Sequence, residues 1–258
     1  MCTHFTRAVL RAPGANFADG ISTAAEGAPI VSKTLRQHAR YEHALRDLGL
    51  ALTILPPDER YPDGVFVEDT AIVTRSGAVI ARPGATSRAG EVDAVERALG
   101  TMLPLAHIRT PGTVDGGDIC ETDDVVLIGL SERTNEAGAA QLARLLSDLG
   151  HRTEVVDIRG LPGLLHLKTG LSYLGDGRVA VAAEASDLEA LRGFERVVLK
   201  PSESYAANCL RINDRVLVAA GYPRFAETLD QLGYTPLPLE MSEFRKMDGG
   251  LSCLSLRF

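Results

Sequence analysis

The residues in this chain that could do chemistry are scattered, so only a fold could gather them. Cys253 stands five residues before the last, in MDGGLSCLSLRF; His166 lies in the apolar run LLHLK; Asp115 and Asp118 flank two glycines in VDGGD; Glu68 and Asp69 end FVED. A thiolate attacks electrophilic carbon, a histidine moves protons, and a carboxylate orients the imidazole and stabilises its charged form. Each residue alone has a plainer reading. A lone cysteine is more often a small core residue, and a histidine among leucines is more often a satisfied core group. FVED and VDGGD also read as turns and caps. Together they are harder to dismiss, because buried carboxylates are costly without a cation or donors. Glu68, Asp69 and Asp115 within apolar strands call for a positive partner. A guanidinium, with its planar fork of N–H donors, would fit. Such acids raise the pKa of a neighbouring thiol in an empty site, and an arriving cation reverses the effect.

The elements that must position these residues repeat along the chain. A strand, a Gly/Asp/Asn turn, a second strand, a helix and a third strand recur from FVEDTAIVT, from VDGGDICET, from LHLKTGLSYL and from AANCLRI. In the third of these units the helix is short, over SDLEALRGF. The N-terminal part supplies FTRAVLRAP, a helix around RQHARYEHALRDLG and LALTILP, and the tail LSCLSLRF is expected to add the missing strand beside it. Helices such as AAQLARLLSDLG carry apolar residues at three- and four-residue spacing and stop at glycine. Units of roughly 40–50 residues are typical of radial or stacked repeats. A radial arrangement hides sheet edges and turns the first strand of every unit toward a common axis, so Glu68, Asp69, Asp115, His166, Asn208 and Cys253 would converge. A doubly wound α/β sheet is the alternative.

Composition narrows the partners. The 258 residues are 45 % hydrophobic and carry a net charge of −7 with no basic run, which argues against nucleic acid and anionic membranes. No apolar run is long enough to span a bilayer, and MCTHFTRAVLRAPG has no signal-peptide core. Cysteines at 2, 120, 209 and 253 form no C-x-x-C and no zinc spacing. Free thiols and a cytoplasmic setting are expected, with Cys2, Cys120 and Cys209 structural.

In order, FVEDTAIV, RPGATSR, VDGGDI, GLSERTNEAGAAQL, HLKTGLSYL, AANCL and MSEFRKMDGGLSC resemble the dimethylarginine dimethylaminohydrolases, guanidine-modifying enzymes of the pentein superfamily. The resemblance spans nearly the whole chain. It implies an α/β fold, a five-bladed α/β propeller, as one catalytic domain over 1–258. It implies hydrolysis of Nω-methylated arginines to citrulline and dimethylamine or methylamine through a covalent thiouronium on the cysteine. Cys253 resembles the nucleophile, His166 the general acid and base, and Asp115 the carboxylate paired with it. Asp69 resembles the grip on the guanidinium, with Glu68 and Asp63 beside it. Arg88 and Arg133 resemble the residues that hold the substrate carboxylate, the Met247 backbone the contact to its α-amino group, and Phe17 a lid residue. No metal or organic cofactor is called for, since the thiolate supplies the nucleophile and the acids the electrostatics. The partner is a small guanidinium amino acid; a monomer or a homodimer fits the sequence equally. Arginine deiminase-like hydrolysis of unmethylated arginine, and non-catalytic guanidine binding, are the competing readings. Arginine deiminases typically add a helical domain for which the repeats leave no room. Agmatine deiminase would leave Arg88 and Arg133 without a carboxylate to bind.

Overall fold

The structure, a computed structural model, describes residues 3–258, so Cys2 lies outside the described residues. The chain begins with β1 (Arg7–Arg11), α1 (Val31–Asp47) and β2 (Ala51–Leu55). Then come β3 (Ala71–Thr74), β4 (Gly77–Ile80), α2 (Val92–Gly100) and β5 (Leu105–His107). The next unit is β6 (Ile119–Glu121), β7 (Val126–Leu130), α3 (Glu136–Asp148) and β8 (Thr153–Asp157). β9 (Leu171–Gly175), β10 (Arg178–Ala182) and β11 (Glu195–Leu199) follow without an α-helix. Last are β12 (Leu210–Ile212), β13 (Arg215–Ala219), α4 (Pro223–Gln231), β14 (Thr235–Leu239), the one-turn α5 (Ser242–Arg245) and β15 (Leu256–Arg257).

Among the described residues the strands form five three-stranded sheets. In four of them a hairpin pairs the first strand antiparallel to the second, and a crossover returns the third parallel to the second. The first sheet takes its missing strand from the tail: β15 runs antiparallel to β1, with Val9 opposite Leu256. The helices form for local reasons. In α1 the buried residues Thr34, Gln37, His38, Tyr41, Ala44 and Leu45 fall on one face, and in α3 the Asn135 side chain caps the Gly138 N–H. Past the ends of α1, α3 and α4 stand Gly49, Gly150 and Gly233 at φ 87°, 89° and 84°, a left-handed stop that only glycine adopts freely.

Ring closure is visible in the core. Val9 and Leu256 pack with Ala71, Ala78 and Ile80, and Ile72 and Val79 pack with Ile119, Val126 and Ile128. Leu127 packs with Leu171, Tyr173 and Val179, and Leu174 and Ala180 pack with Val216 and Val218. Finally Ile212 and Leu217 pack with Ala8 and Leu10, back at the first sheet. Each sheet is thus sealed to the next, at about 1.5–3 kcal/mol for each large side chain fully buried. This is the five-bladed α/β propeller expected from the repeats.

Two expectations need correction. The stretch SDLEALRGF is not a short α-helix but contains the 3-10 turn Glu189–Leu191, preceded by another at Ala183–Ala185; so short a segment cannot repay α-helix nucleation. The first strands also begin later than the apolar pattern suggests. Ahead of β3, β6, β9, β12 and β15 lie 3-10 turns at Val67–Thr70, Gly116–Asp118, Leu167–Thr169, Pro201–Ala207 and Ser252–Leu254. The polar candidates sit on or beside these turns rather than in strands.

Candidate active site

The first four turns touch in succession and the last touches the first, and hydrogen bonds, through Asn208 beside the fourth, stitch all five into a closed ring. The Gly117 N–H donates to Asp69 Oδ1 at 2.9 Å, and the Leu167 N–H to Asp118 Oδ1 at 3.0 Å. Asn208 Nδ2 donates to the Lys168 carbonyl at 2.8 Å, and the Ser252 N–H to Asn208 Oδ1 at 3.0 Å. The Ser252 hydroxyl then donates to Glu68 Oε2 at 2.7 Å, on the first turn again. The paired glycines of VDGGD are needed for this approach. A Cβ on Gly116 would collide with the Glu68 carbonyl, and one on Gly117 would lie 2.7 Å from His166 Nδ1.

The ring brings His166, Asp115 and Asp69 together. His166 Nε2 is 3.1 Å from Asp115 Oδ2 and 4.0 Å from Asp69 Oδ1. One donor atom from each of the three lies within 4.8 Å of the others, a trio dense enough to grip a metal ion or a planar cation. Asp115 is fixed from behind by the Gly84 N–H at 2.8 Å. Cys253, half-buried, accepts the Gly250 N–H at 3.4 Å. It shares with His166 the wall of an enclosed cavity of about 50 Å³ that also meets Asp63, Asp69, Arg88, Arg133 and Met247. Both residues also face a more open cavity of about 630 Å³.

Electrostatics set the resting state. Burial, then the charges of Glu68 and Asp69, push the Cys253 thiol up to about 12 against the opposing Gly250 N–H and Lys168. Burial disfavours the His166 imidazolium, but Asp69, the Asp115 hydrogen bond and Asp118 outweigh it and raise the ring to about 9. Burial likewise opposes the Asp69 carboxylate, but His166, Arg88 and the Gly117 N–H hold it near 2. At neutral pH these groups on their own therefore rest as a thiol beside an imidazolium.

Several expected residues are placed differently than the sequence suggests. Phe17 is fully buried against Phe66 and Phe244, at ring-centroid distances of 5.9 and 5.6 Å, and belongs to the core rather than to a cavity wall. An aromatic ring this apolar finds more to gain in that cluster than over a polar pit. Ile21 and Thr23, four and six residues later, reach the cavity instead. The Asp63 carboxylate is engaged by the Ile21 N–H, 3.1 Å from each oxygen. The acids expected to await a cation already have internal ones. Glu68 meets Lys168 Nζ at 2.7 Å and Arg257 Nη2 at 3.3 Å. Asp69 meets Arg88 Nη1 at 2.6 Å. Arg88 is buried and also clasps Glu91, with Nε 3.0 Å from Oε1 and Nη2 2.8 Å from Oε2, and donates to the Phe66 carbonyl at 3.1 Å. Most of its donors are spent. Arg133, its side chain 16 % exposed and 4.0 Å from Asp115, is the less committed of the two guanidiniums. Glu91, Lys168 and Asp248 are site residues that sequence reasoning missed. Glu91 carried one signal, its i,i+3 spacing from Arg88.

Comparison with known proteins fits this geometry. Residues 59–203 match the arginine deiminase family model. Over 256 residues, 98 % of this chain and 100 % of the relative, the sequence is 42 % identical to an N(G),N(G)-dimethylarginine dimethylaminohydrolase of Pseudomonas aeruginosa. The chain belongs to the dimethylarginine dimethylaminohydrolase family. A family member from Streptomyces coelicolor is 36 % identical over 97 % of this chain and 96 % of its own length. A solved structure of the Pseudomonas aeruginosa dimethylarginine dimethylaminohydrolase, a cysteine-to-serine variant complexed with citrulline, superposes with a TM-score of 0.95, covering 99 % of this chain and 100 % of that one.

Proposed function

We propose that this protein hydrolyses Nω-methylated arginines to citrulline and dimethylamine or methylamine, with Cys253 as nucleophile and His166 as proton carrier. The observation that carries the reading is that Cys253 and His166 face one cavity with Asp69 and Arg133, in a chain 42 % identical over its length to a named dimethylarginine dimethylaminohydrolase. The citrulline complex of the Pseudomonas aeruginosa protein names the product class. The ligand is a small guanidinium amino acid, bound and turned over by a single catalytic domain over 1–258.

Substrate arrives as a cation and offsets the fields of Glu68 and Asp69, which favours release of the thiol proton to solvent, His166 being already protonated. The Cys253 thiolate adds to the central guanidinium carbon. The carbon–nitrogen bond to the methylated nitrogen then breaks, and the amine departs with a proton from His166, leaving a thiouronium on sulfur. His166, now neutral, takes a proton from water as that water adds to the same carbon. The carbon–sulfur bond breaks as the added hydroxyl loses its proton to solvent, where the freed amine takes one up, so citrulline forms and the thiolate is regenerated. Asp115 orients the imidazole and stabilises its charged form. Asp69 faces the guanidinium nitrogens, and Arg133, with what remains of Arg88, meets the carboxylate end. Asp63 and the Met247 backbone line the α-amino end.

The net charge of −7 fits a protein without nucleic acid or membrane partners, and among the described residues no helix is long and apolar enough to cross a membrane. Free Cys120, Cys209 and Cys253 suit a reducing cytoplasm. The deciding assay measures citrulline released from asymmetric dimethylarginine, monomethylarginine and arginine side by side, with Cys253→Ser as control. Release from the methylated substrates, abolished by Cys253→Ser with substrate binding retained, is the expected result. Full turnover in Cys253→Ser rejects the scheme, and preference for unmethylated arginine makes the protein a deiminase.

A further inference from the structure

The segment 20–30 contributes Ile21 and Thr23 to the wall of the cavity that Cys253 and His166 share and is fastened to the segment that leads into the nucleophile. The Ser22 hydroxyl donates to the Lys246 carbonyl at 2.8 Å, Glu26 pairs with Arg245 at 2.7 Å, and the Ile30 N–H donates to Glu243 at 2.8 Å. Two further fastenings have both partners on the wall of the small cavity that Cys253 and His166 share. One joins Ile21 to Asp63. In the other, Asp248 Oδ2 accepts the Thr23 N–H at 2.6 Å and the Thr23 hydroxyl at 3.0 Å.

Asp248 differs from Asp63 in three respects. It has no expected substrate contact. It is joined through Gly249 and Gly250 to the backbone N–H that meets the Cys253 sulfur. Its φ is 56°, in the left-handed region that most side chains avoid. Aspartate is one of the few side chains that tolerate it, and the backbone conformation sets the direction of its carboxylate. Here that direction is toward Thr23. The two hydrogen bonds are solvent-exposed, hence weak enough to open and reclose on each turnover, as a lid fastening must.

We propose that Asp248 is the latch that holds residues 20–24 closed over the Cys253 thiol, a positioning residue for guanidine hydrolysis. The assignment rests on the reaction proposed above, but its test does not. Asp248→Gly removes the acceptor and suits the left-handed backbone. Asp248→Asn keeps an acceptor oxygen and also tolerates that backbone. Thr23→Val removes the hydroxyl alone. Each is compared with the unaltered protein for the rate of Cys253 alkylation by iodoacetamide, for KM and kcat on asymmetric dimethylarginine, and for Tm.

Asp248→Gly should alkylate about tenfold faster and raise KM about tenfold, with kcat within about threefold, as expected for losing a charge-assisted hydrogen bond. Its Tm should be unchanged. Asp248→Asn should recover most of both effects, and Thr23→Val should fall between. An unaltered alkylation rate in Asp248→Gly overturns the latch. So does Asp248→Asn matching Asp248→Gly with a lowered Tm, which would mean that the residue only supports the fold. If no guanidine is hydrolysed at all, the alkylation rates still decide the latch, and only the reaction is rejected.

Discussion

If the acids around Cys253 raise its pKa, a bound cation must lower it, and the size of the effect can be worked out. The thiol of the empty site stands near 12, lifted by burial and by Glu68 and Asp69. A guanidinium in contact with sulfur lies about 4 Å away, which at an effective dielectric constant of about 20 amounts to about 4 kcal/mol in favour of the thiolate. At about 1.4 kcal/mol per pH unit this is about three units, enough to return the thiol to the neighbourhood of 9. The perturbation is saturation with a methylguanidinium salt, the bare head group, at constant ionic strength. The assay is the thiolate ultraviolet absorbance titrated with pH. Because Cys120 and Cys209 titrate near 11 and 12, the Cys253→Ser protein is subtracted at every point. A fall of two to three units (about 3 expected) supports substrate-coupled ionisation. Midpoints agreeing within about half a unit, with binding independently shown, would refute it.

Two further outcomes follow from the same coordinates. The His166 pKa of about 9 lies above its unfolded value of about 6.5. Its contribution to stability is therefore complete below about pH 6.5 and is lost as pH rises through about 9, amounting to about 3 kcal/mol. The low pKa of Asp69 reports the same interaction and is not added. Denaturant unfolding of the native protein and His166→Gln should differ by that amount near pH 6 and converge near pH 10; a difference that does not change with pH would contradict the assigned charge state. Phe17 and Ile21 should separate core from lid. Phe17→Leu should lose about 1–2 kcal/mol of stability with KM little changed, while Ile21→Gly should raise KM with Tm nearly intact. The reverse pattern in thermal melts and Michaelis kinetics would return Phe17 to the site.

The blades were legible because their signals are local. Strand-forming runs alternate with turns whose residues tolerate positive φ, as Asp176 and Asn213 do at 54°, and helices end at glycine. The 3-10 turns were not legible, because FVEDTAIV reads without interruption as a strand. What shapes its first half is remote: Asp69 bonds the backbone of Gly117, 48 positions away, and Asp118 bonds that of Leu167, 49 away. The acids were correctly read as needing cations, but the composition of a stretch does not say which cation comes. Lys168 and Arg257 answer Glu68, and Arg88 answers Asp69, from other blades or from turns well along the chain. Phe17 came to the lid through resemblance, which does not say where a ring points, and its ring obeys the ordinary preference of phenylalanine for the interior.

Val9 pairs with Leu256, so the last seam of the propeller joins segments that are nearly the whole described length apart. The turn bearing Cys253 immediately precedes that seam. Sulfur and imidazole are therefore held together only while that seam is closed, and whatever loosens the pairing of Val9 with Leu256 disperses the site along with the fold.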